Sequence, residues 1–375
     1  MTYRENLQQA TVASAKRVII KIGSSLIAPP TGNTESNSVD LTMIESLAGE
    51  ILFLRQRNIE VILVSSGAVA MGRYILGKVN TSYLPKTAPA MSRKQALSAI
   101  GQARLISLYG EVFAKHKLPV SQILITARDF RDRKAYLNIG HTIEELLSLG
   151  VIPIINENDT VSTDELRFGD NDLLSGACAA LLHADLLILL TSADGFLMNK
   201  NRVPALDTIT ADVIAQAGGP SGPGSGGMRT KIRSGQLALR TGFQLAILPG
   251  RHKDPIRAFF EGDNIGTLIG KLTPAKMNAR KMWLLFARTK GAVIVDHGAS
   301  LALQKHGSSL LSAGITKIKG DFVESDVIEI IDTEGKVIGR GIAKVSWRDI
   351  EAAIQSGQHL DIEVIHRNDL ILDSQ

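Results

Sequence analysis

The sequence predicts an α/β protein, a three-layer αβα sandwich around a mostly parallel sheet, followed by a small β-rich domain. Three observations predict it. Short β-branched or leucine-rich runs alternate with longer amphipathic segments over residues 1–270. Those runs are apolar throughout, as strands covered on both faces are. Past residue 288 the pattern changes to short strands and turns.

In chain order the expected strands are Arg17 to Ile22, Glu60 to Val64, Val120 to Ile125, Val151 to Ile155, Leu186 to Leu190 and Gln244 to Leu248. Helical patterns intervene at Leu41 to Asn58, Ser92 to Lys117, Asn138 to Leu149 and Asp172 to His183. Residues 1–270 form the expected larger domain, 271–287 (KLTPAKMNARKMWLLFA) a connector and 288–375 the small domain. In the latter, strands are expected at Ala292 to Asp296, Gly320 to Glu324, Val327 to Ile331 and Lys336 to Val345. The last two flank Asp332-Thr333-Glu334-Gly335, which reads as a hairpin turn.

Composition excludes several classes. With 44% apolar and 21% charged residues among 375, the chain can bury a sizeable core and is neither fibrous nor disordered. One cysteine, Cys178, forms no intrachain disulfide, and its Ala and Leu neighbours predict an inert core thiol and a cytoplasmic protein. Met1 to Lys16 is polar, without the apolar stretch of a signal peptide, and no run approaches the roughly 20 residues that span a bilayer. No membrane partner is expected. A net charge of +5 raises the question of an anionic partner.

In a parallel sheet ligands bind at the carboxyl ends of strands, so motifs that carry chemistry should follow strands. Lys21-Ile22-Gly23-Ser24-Ser25 ends the first strand and offers an ammonium and loop N–H groups to phosphate. Ser65-Ser66-Gly67-Ala68 ends the second and suits a carboxylate or a phosphate. Asn156-Glu157-Asn158-Asp159, with Asp170-Asn171-Asp172 beyond it, suits a cationic group: a substrate ammonium or hydrated Mg²⁺. Thr191-Ser192-Ala193-Asp194-Gly195 closes another strand with a hydroxyl-rich turn. The glycine-rich stretch Gly218 to Gly227 runs into Met228-Arg229-Thr230-Lys231 and a helix, the pieces a triphosphate needs: flexible closure, backbone donors and a point charge. Neither a P-loop nor a dinucleotide-binding glycine fingerprint occurs. Two separated lysines, two glycine loops and a carboxylate cluster describe phosphoryl transfer between two bound ligands.

Six segments, KIGSS, VSSGAVAMG, KQALSAIGQARL, INENDTVST, FGDNDLLSG and GGMRTK, stand in the order and spacing of one family. From Val18 to about Arg367 the chain resembles the glutamate 5-kinases, of the amino-acid kinase superfamily, which carry a C-terminal PUA domain. The tail's VDHGA and KHGSSLL carry the PUA resemblance. Acetylglutamate kinase, aspartokinase and uridylate kinase are the alternatives within the superfamily; INEND paired with GDND, and the PUA-like tail, favour the first.

The resemblance implies the amino-acid kinase fold and phosphorylation of the L-glutamate side-chain carboxylate by ATP, the first step of proline biosynthesis. It implies ATP contacts at Lys21, Thr191, Ser192, Ser225, Gly226, Gly227, Met228, Arg229, Thr230 and Lys231. Glutamate contacts are implied at Ser66, Gly67, Asn156, Asp159 and Asn171. Lys21 and Lys231 are the expected catalytic pair, oriented by Asp172, with Asp170 a further candidate. Magnesium is expected as MgATP with no direct side-chain ligand. A homo-oligomer, feedback by proline and hand-over of a labile product to glutamyl phosphate reductase are also implied. This chain departs from the family pattern after the fifth strand, where Thr191 is followed by Ser192 and the aspartate comes at Asp194.

PUA domains elsewhere bind RNA, which makes an RNA-binding or RNA-regulated protein the rival reading. From Ala279 to Gln375 there are 12 Lys and Arg against 13 Asp and Glu, so the tail lacks the basic surplus such binding leans on. Lys86 to Lys134 carries 10 basic residues against 3 acidic. That excess lies in the larger domain and reads as a field for anionic substrates or as an oligomer contact.

Overall fold

The computed structural model describes residues 1–27, 40–78, 90–162, 170–218, 227–355 and 362–373. It divides into two units, Met1–Asp129 with Leu137–Lys276, and Phe130–Tyr136 with Met277–Gln375.

The first unit is built on one eight-stranded sheet. Its strands are β1 (Arg17–Ile22), β2 (Glu60–Ser65), β3 (Val120–Ile125), β4 (Ile152–Glu157) and β5 (Leu186–Thr191). After a separate short hairpin of β6 (Leu197–Met198) and β7 (Asn201–Arg202) come β8 (Ala205–Leu206), β9 (Gln244–Pro249) and β10 (Thr267–Ile269). The order is β3-β4-β2-β1-β5-β9-β10-β8. Every pairing from β3 to β9 is parallel, and β10 runs antiparallel to β9. All six strands expected for this domain form. Side chains such as Ile20, Ile22, Leu63, Ile154, Ile188 and Leu248 are fully or almost fully buried. Each such aliphatic contributes about 1.5–3 kcal/mol relative to exposure. The expectation of strands covered on both faces fails at β3: it is the sheet's edge, and Leu124 is 38% exposed.

This order positions the site. From β1 the chain winds through β2 to β4 on one side, then crosses to β5 on the other, so the winding reverses between β1 and β5. Such a reversal opens a crevice at the carboxyl ends. The register levels those ends: Ile22 pairs with both Ser65 and Leu190, and Thr191 with Pro249. Gly23, Ser66 and Thr191 therefore emerge side by side.

Met1 to Lys16, expected only as a polar segment, is mostly helix. Tyr3–Ser14 begins with a capping box, in which Thr2 Oγ1 accepts from Glu5 N and Glu5 from Thr2 N. Its polar side chains are spent on backbone carbonyls: Gln8 donates to Phe259 (2.6 Å) and Asp263, Tyr3 to Gly270 and Arg4 to Ile265. A helix docked by hydrogen bonds has too few apolar residues for periodicity to reveal it.

The second unit has a five-stranded sheet and a two-stranded pair. The strands are β11 (Gly291–Val295), β12 (Leu310–Leu311), β13 (Ile315–Lys319), β14 (Val327–Ile331), β15 (Val337–Ile342), β16 (Glu363–Ile365) and β17 (Leu370–Leu372). The β14–β15 hairpin forms as expected: Asp332 Oδ1 accepts from Glu334 N and Lys336 N, and Gly335 takes φ 84°. Gly320 to Glu324 is not a strand. Gly320, at φ 75°, ends β13, and Phe322 turns into the core. The helices His297–His306, capped by Asp296, and Trp347–Gln355 were not anticipated.

Cys178 is fully buried, and burial pushes its thiol well above the usual range. Among the described residues no helix is long and apolar enough to cross a membrane.

Beside the crevice, the helices Ala68–Lys78 and Ala90–Ala114 touch backbone to backbone. A methyl on Gly101 would stand 1.8 Å from the Ala68 carbonyl oxygen, and one on Gly72 1.9 Å from that of Leu97. Gly101→Ala should cost about 1–3 kcal/mol by forcing the helices apart. Gly49→Ala, in the helix Leu41–Arg55 with open space around it, should be neutral or stabilising by up to about 1 kcal/mol. Thermal denaturation of the two variants checks this, and the pair should separate in melting temperature in that order.

Candidate active site

Three chain segments converge on one buried carboxylate. Asp172 lies in the first turn of the helix Asn171–Leu181, is fully buried, and has an ammonium on each oxygen. Lys21 Nζ is 2.5 Å from Oδ1 and Lys231 Nζ 2.7 Å from Oδ2. Lys21 comes from the end of β1 and Lys231 from the first turn of Met228–Thr241, and each is only 4% exposed. The Asp172 carbonyl accepts from Ser175 Oγ (2.7 Å) and Ser234 Oγ (2.9 Å), tying the two helices together. Asp170 caps the first helix, accepting from Asp172 N. Thr230 Oγ1 lies 2.6 Å from Asp170 Oδ2 and 3.0 Å from Asp172 Oδ2. Lys21 Nζ is 3.9 Å from Asp170 Oδ1.

Burial by itself raises the Asp172 pKa, but the fields and hydrogen bonds of Lys21 and Lys231 outweigh it and hold the carboxyl well below the usual range. Asp170 moves the other way: burial and the Asp172 charge raise it, with Lys21 and Thr230 opposing. Two cations and two carboxylates thus share one water-poor site, where charge interactions are strong.

A second group of residues surrounds a cavity of about 450 Å³ that is lined by Ser66, Gly67, Asn156, Asp159, Asp170 and Asn171, and also by Ser24, Arg73, Lys94 and Glu157. Gly67 takes φ 109° as the chain leaves β2 and enters the helix Ala68–Lys78, whose N-terminal N–H groups favour an anion. Asn171 Nδ2 lies 2.8 Å from the Ser65 carbonyl and 2.9 Å from both Ser66 Oγ and Asn156 Oδ1. Asp159 accepts from Ser98 Oγ at 3.0 Å, with Lys94 Nζ 3.9 Å away. Asp170 and Asn171 link this cavity to the lysine pair.

All the residues expected to contact glutamate, and all four expected to be catalytic, stand at this edge of the sheet. Of the residues expected to contact ATP, Thr191 closes β5, its carbonyl accepting from Gly250 N, and Ser192 is exposed just beyond. Gly227 is the N-cap of the helix that carries Met228, Arg229, Thr230 and Lys231; Arg229 is exposed. Ser225 and Gly226 lie outside the described residues. Sequence reasoning overlooked Lys94, Ser98 and Gln102, although their spacing held the signal: one residue every fourth on the helix Ala90–Ala114 makes a polar stripe, and all three reach the site. Among the described residues no three His, Cys, Asp or Glu side chains are grouped to hold a metal.

The chain belongs to the amino acid kinase family, a family of phosphotransferases, whose model matches residues 16–248. A PUA domain model matches residues 291–366. The relatives of the whole chain include proteins named glutamate 5-kinase. That of Dictyoglomus thermophilum is 39% identical over 95% of this chain and 97% of its own length. That of Dinoroseobacter shibae is 37% identical over 97% and 100%, and that of Myxococcus xanthus 38% over 96% and 97%.

Asp172→Asn leaves two buried ammoniums facing a neutral amide and should destabilise the protein by about 3–5 kcal/mol. A carboxyl with a depressed folded pKa contributes stability above its unfolded pKa and loses it as pH falls through the folded one. In urea unfolding the gap between wild type and variant should stay constant above about pH 5 and narrow only below the unfolded value of about 3.9.

Proposed function

We propose that the site transfers the γ-phosphoryl group of ATP to the side-chain carboxylate of L-glutamate, giving glutamyl 5-phosphate and ADP, the opening step of proline biosynthesis. The observation that carries this reading is the Lys21–Asp172–Lys231 bridge beside a polar cavity, in a chain that a glutamate 5-kinase matches over 95% of its length.

Glutamate occupies the cavity. Its α-ammonium is drawn to Asp159 and Asn171, with Asn156 behind them, and a carboxylate meets the N–H groups from Ser66 and Gly67 into the helix Ala68–Lys78. ATP lies across Thr191, Ser192 and the segment Ser225 to Lys231, including Gly226, Gly227, Met228, Arg229 and Thr230. A carboxylate oxygen of glutamate attacks the γ-phosphorus, and the bond to the β,γ-bridging oxygen breaks as its electron pair leaves with ADP. The nucleophile is already ionised, so no proton has to be removed and catalysis is positioning plus charge stabilisation. Lys21 and Lys231, held apart by one carboxylate, flank the transferring group. Asp172 keeps both ammoniums in register, and Asp170, through Thr230, fixes the start of the lysine-bearing helix.

Magnesium would enter with ATP, without a direct side-chain ligand, and would supply charge neutralisation on the phosphates. The donor set agrees, since the carboxylates nearest the lysines already have partners in Lys21, Thr230 and Lys231. The acyl phosphate product is labile, which favours hand-over to glutamyl phosphate reductase in the cytoplasm, and a homo-oligomer with proline feedback completes the proposal. For the PUA-like domain the charge balance argues against general RNA binding.

Trapping the product as its hydroxamate tests this. Wild-type protein should give ATP-dependent hydroxamate with glutamate and far less with aspartate or N-acetylglutamate. Lys231→Ala should lower the rate at least about a hundredfold, as loss of one stabilising charge does, while remaining folded by circular dichroism. Full activity in that variant would remove Lys231 from the mechanism.

A further inference from the structure

The segment KQALSAIGQARL contributes a residue that the reaction as described does not use. Gln102, half-buried on the helix Ala90–Ala114, accepts through Oε1 from Asn156 Nδ2 at 2.7 Å. Asn156, 4% exposed, accepts through Oδ1 from Asn171 Nδ2 and from the backbone N–H of Glu157, both at 2.9 Å.

The direction of this chain of amides is forced by two backbone groups. The Ser65 carbonyl can only accept, so the amide edge of Asn171 turned toward it, 2.8 Å away, is its NH₂. The N–H of Glu157 can only donate, so the oxygen of Asn156 faces both it and Asn171. The NH₂ of Asn156 is then turned to Gln102, which must present its oxygen. The order also fixes the end that matters: with Nδ2 of Asn171 committed to the protein, its Oδ1 is left for the cavity it lines. An oxygen there receives an N–H donor, as an ammonium is; a reversed amide would repel one.

We propose that Gln102 is a positioning residue that acts through Asn156 to hold Asn171 with its carbonyl oxygen toward the amino group of the substrate. Without the Gln102 acceptor Asn156 Nδ2 loses that hydrogen bond, and only the Glu157 N–H and Asn171 are left to hold the Asn156 amide, so Asn171 is positioned less firmly. This rests on the glutamate reading above. Gln102 touches neither ATP nor the lysine pair, so its loss acts on amino-acid binding and leaves nucleotide binding and the chemical step alone.

The test is hydroxamate kinetics on the full chain, with glutamate and ATP varied separately, for wild type, Gln102→Leu and Gln102→Glu. Wild-type activity with glutamate checks the underlying reading first, so a failure of that reading shows in the wild type and not in the variants. The expected result for Gln102→Leu is a KM for glutamate raised about tenfold, the worth of one buried hydrogen bond. Its KM for ATP and its kcat should stay within about twofold. Gln102→Glu keeps an acceptor facing Asn156 Nδ2 and should restore the glutamate KM to within about threefold of wild type. An unchanged glutamate KM in Gln102→Leu would overturn the proposal. So would an equal rise in both KM values with a lowered melting temperature, or a Gln102→Glu variant no better than Gln102→Leu.

Discussion

One carboxylate, fully buried and gripped by two ammoniums, is the constraint on which the catalytic unit is organised. An unpaired charge in that position would cost several kcal/mol, so Asp172, Lys21 and Lys231 can be buried only together. They come from a helix, a strand end and a second helix far apart in sequence, and burying them fixes those elements against one another. Ser175 and Ser234, both on the Asp172 carbonyl, extend the same junction. Two like charges held apart by one opposite charge form a cradle for a third party that is anionic, and a phosphoryl group in transfer is such a party.

The sheet places this bridge at the crevice between the β2 and β5 turns. Because the winding reverses beside β1, that strand's end faces the β2 turn on one side and the β5 turn on the other. The β2 side opens into the polar cavity, and the β5 side faces the helix that follows the glycine-rich segment. Lys21 stands between them. The amide chain from Gln102 to Asn171 does for the amino-acid side what Asp172 does for the phosphate side: it decides, from groups that cannot be reversed, which atom is presented.

Much of this was legible in the sequence where one physical signal dominated. Fully buried parallel strands read as apolar runs, as β1 does, and the exposed edge strand β3 is bounded to the residue all the same. The motifs at strand ends stand where a parallel sheet binds its ligands. Legibility failed where structure rests on pairings distant in sequence. Nothing local shows that Gln8 and Arg4 will spend their polar groups on carbonyls more than 250 residues away. Burial of Phe322 decided against a strand at Gly320 to Glu324, and that depends on the rest of its unit. The stripe Lys94, Ser98, Gln102 was visible as spacing, but a polar stripe on a helix ordinarily faces water, and only the fold shows that this one faces the site.

The measurement that bears most directly on the account separates binding from chemistry in Asp172→Asn, studied well below its melting temperature. Calorimetric titration gives the affinity for ATP, and hydroxamate formation gives kcat. If Asp172 serves to hold both lysines in register for the transferring group, kcat falls at least about a hundredfold while the affinity for ATP changes by only a few-fold. A variant that binds ATP and still turns over within tenfold of wild type would contradict the account.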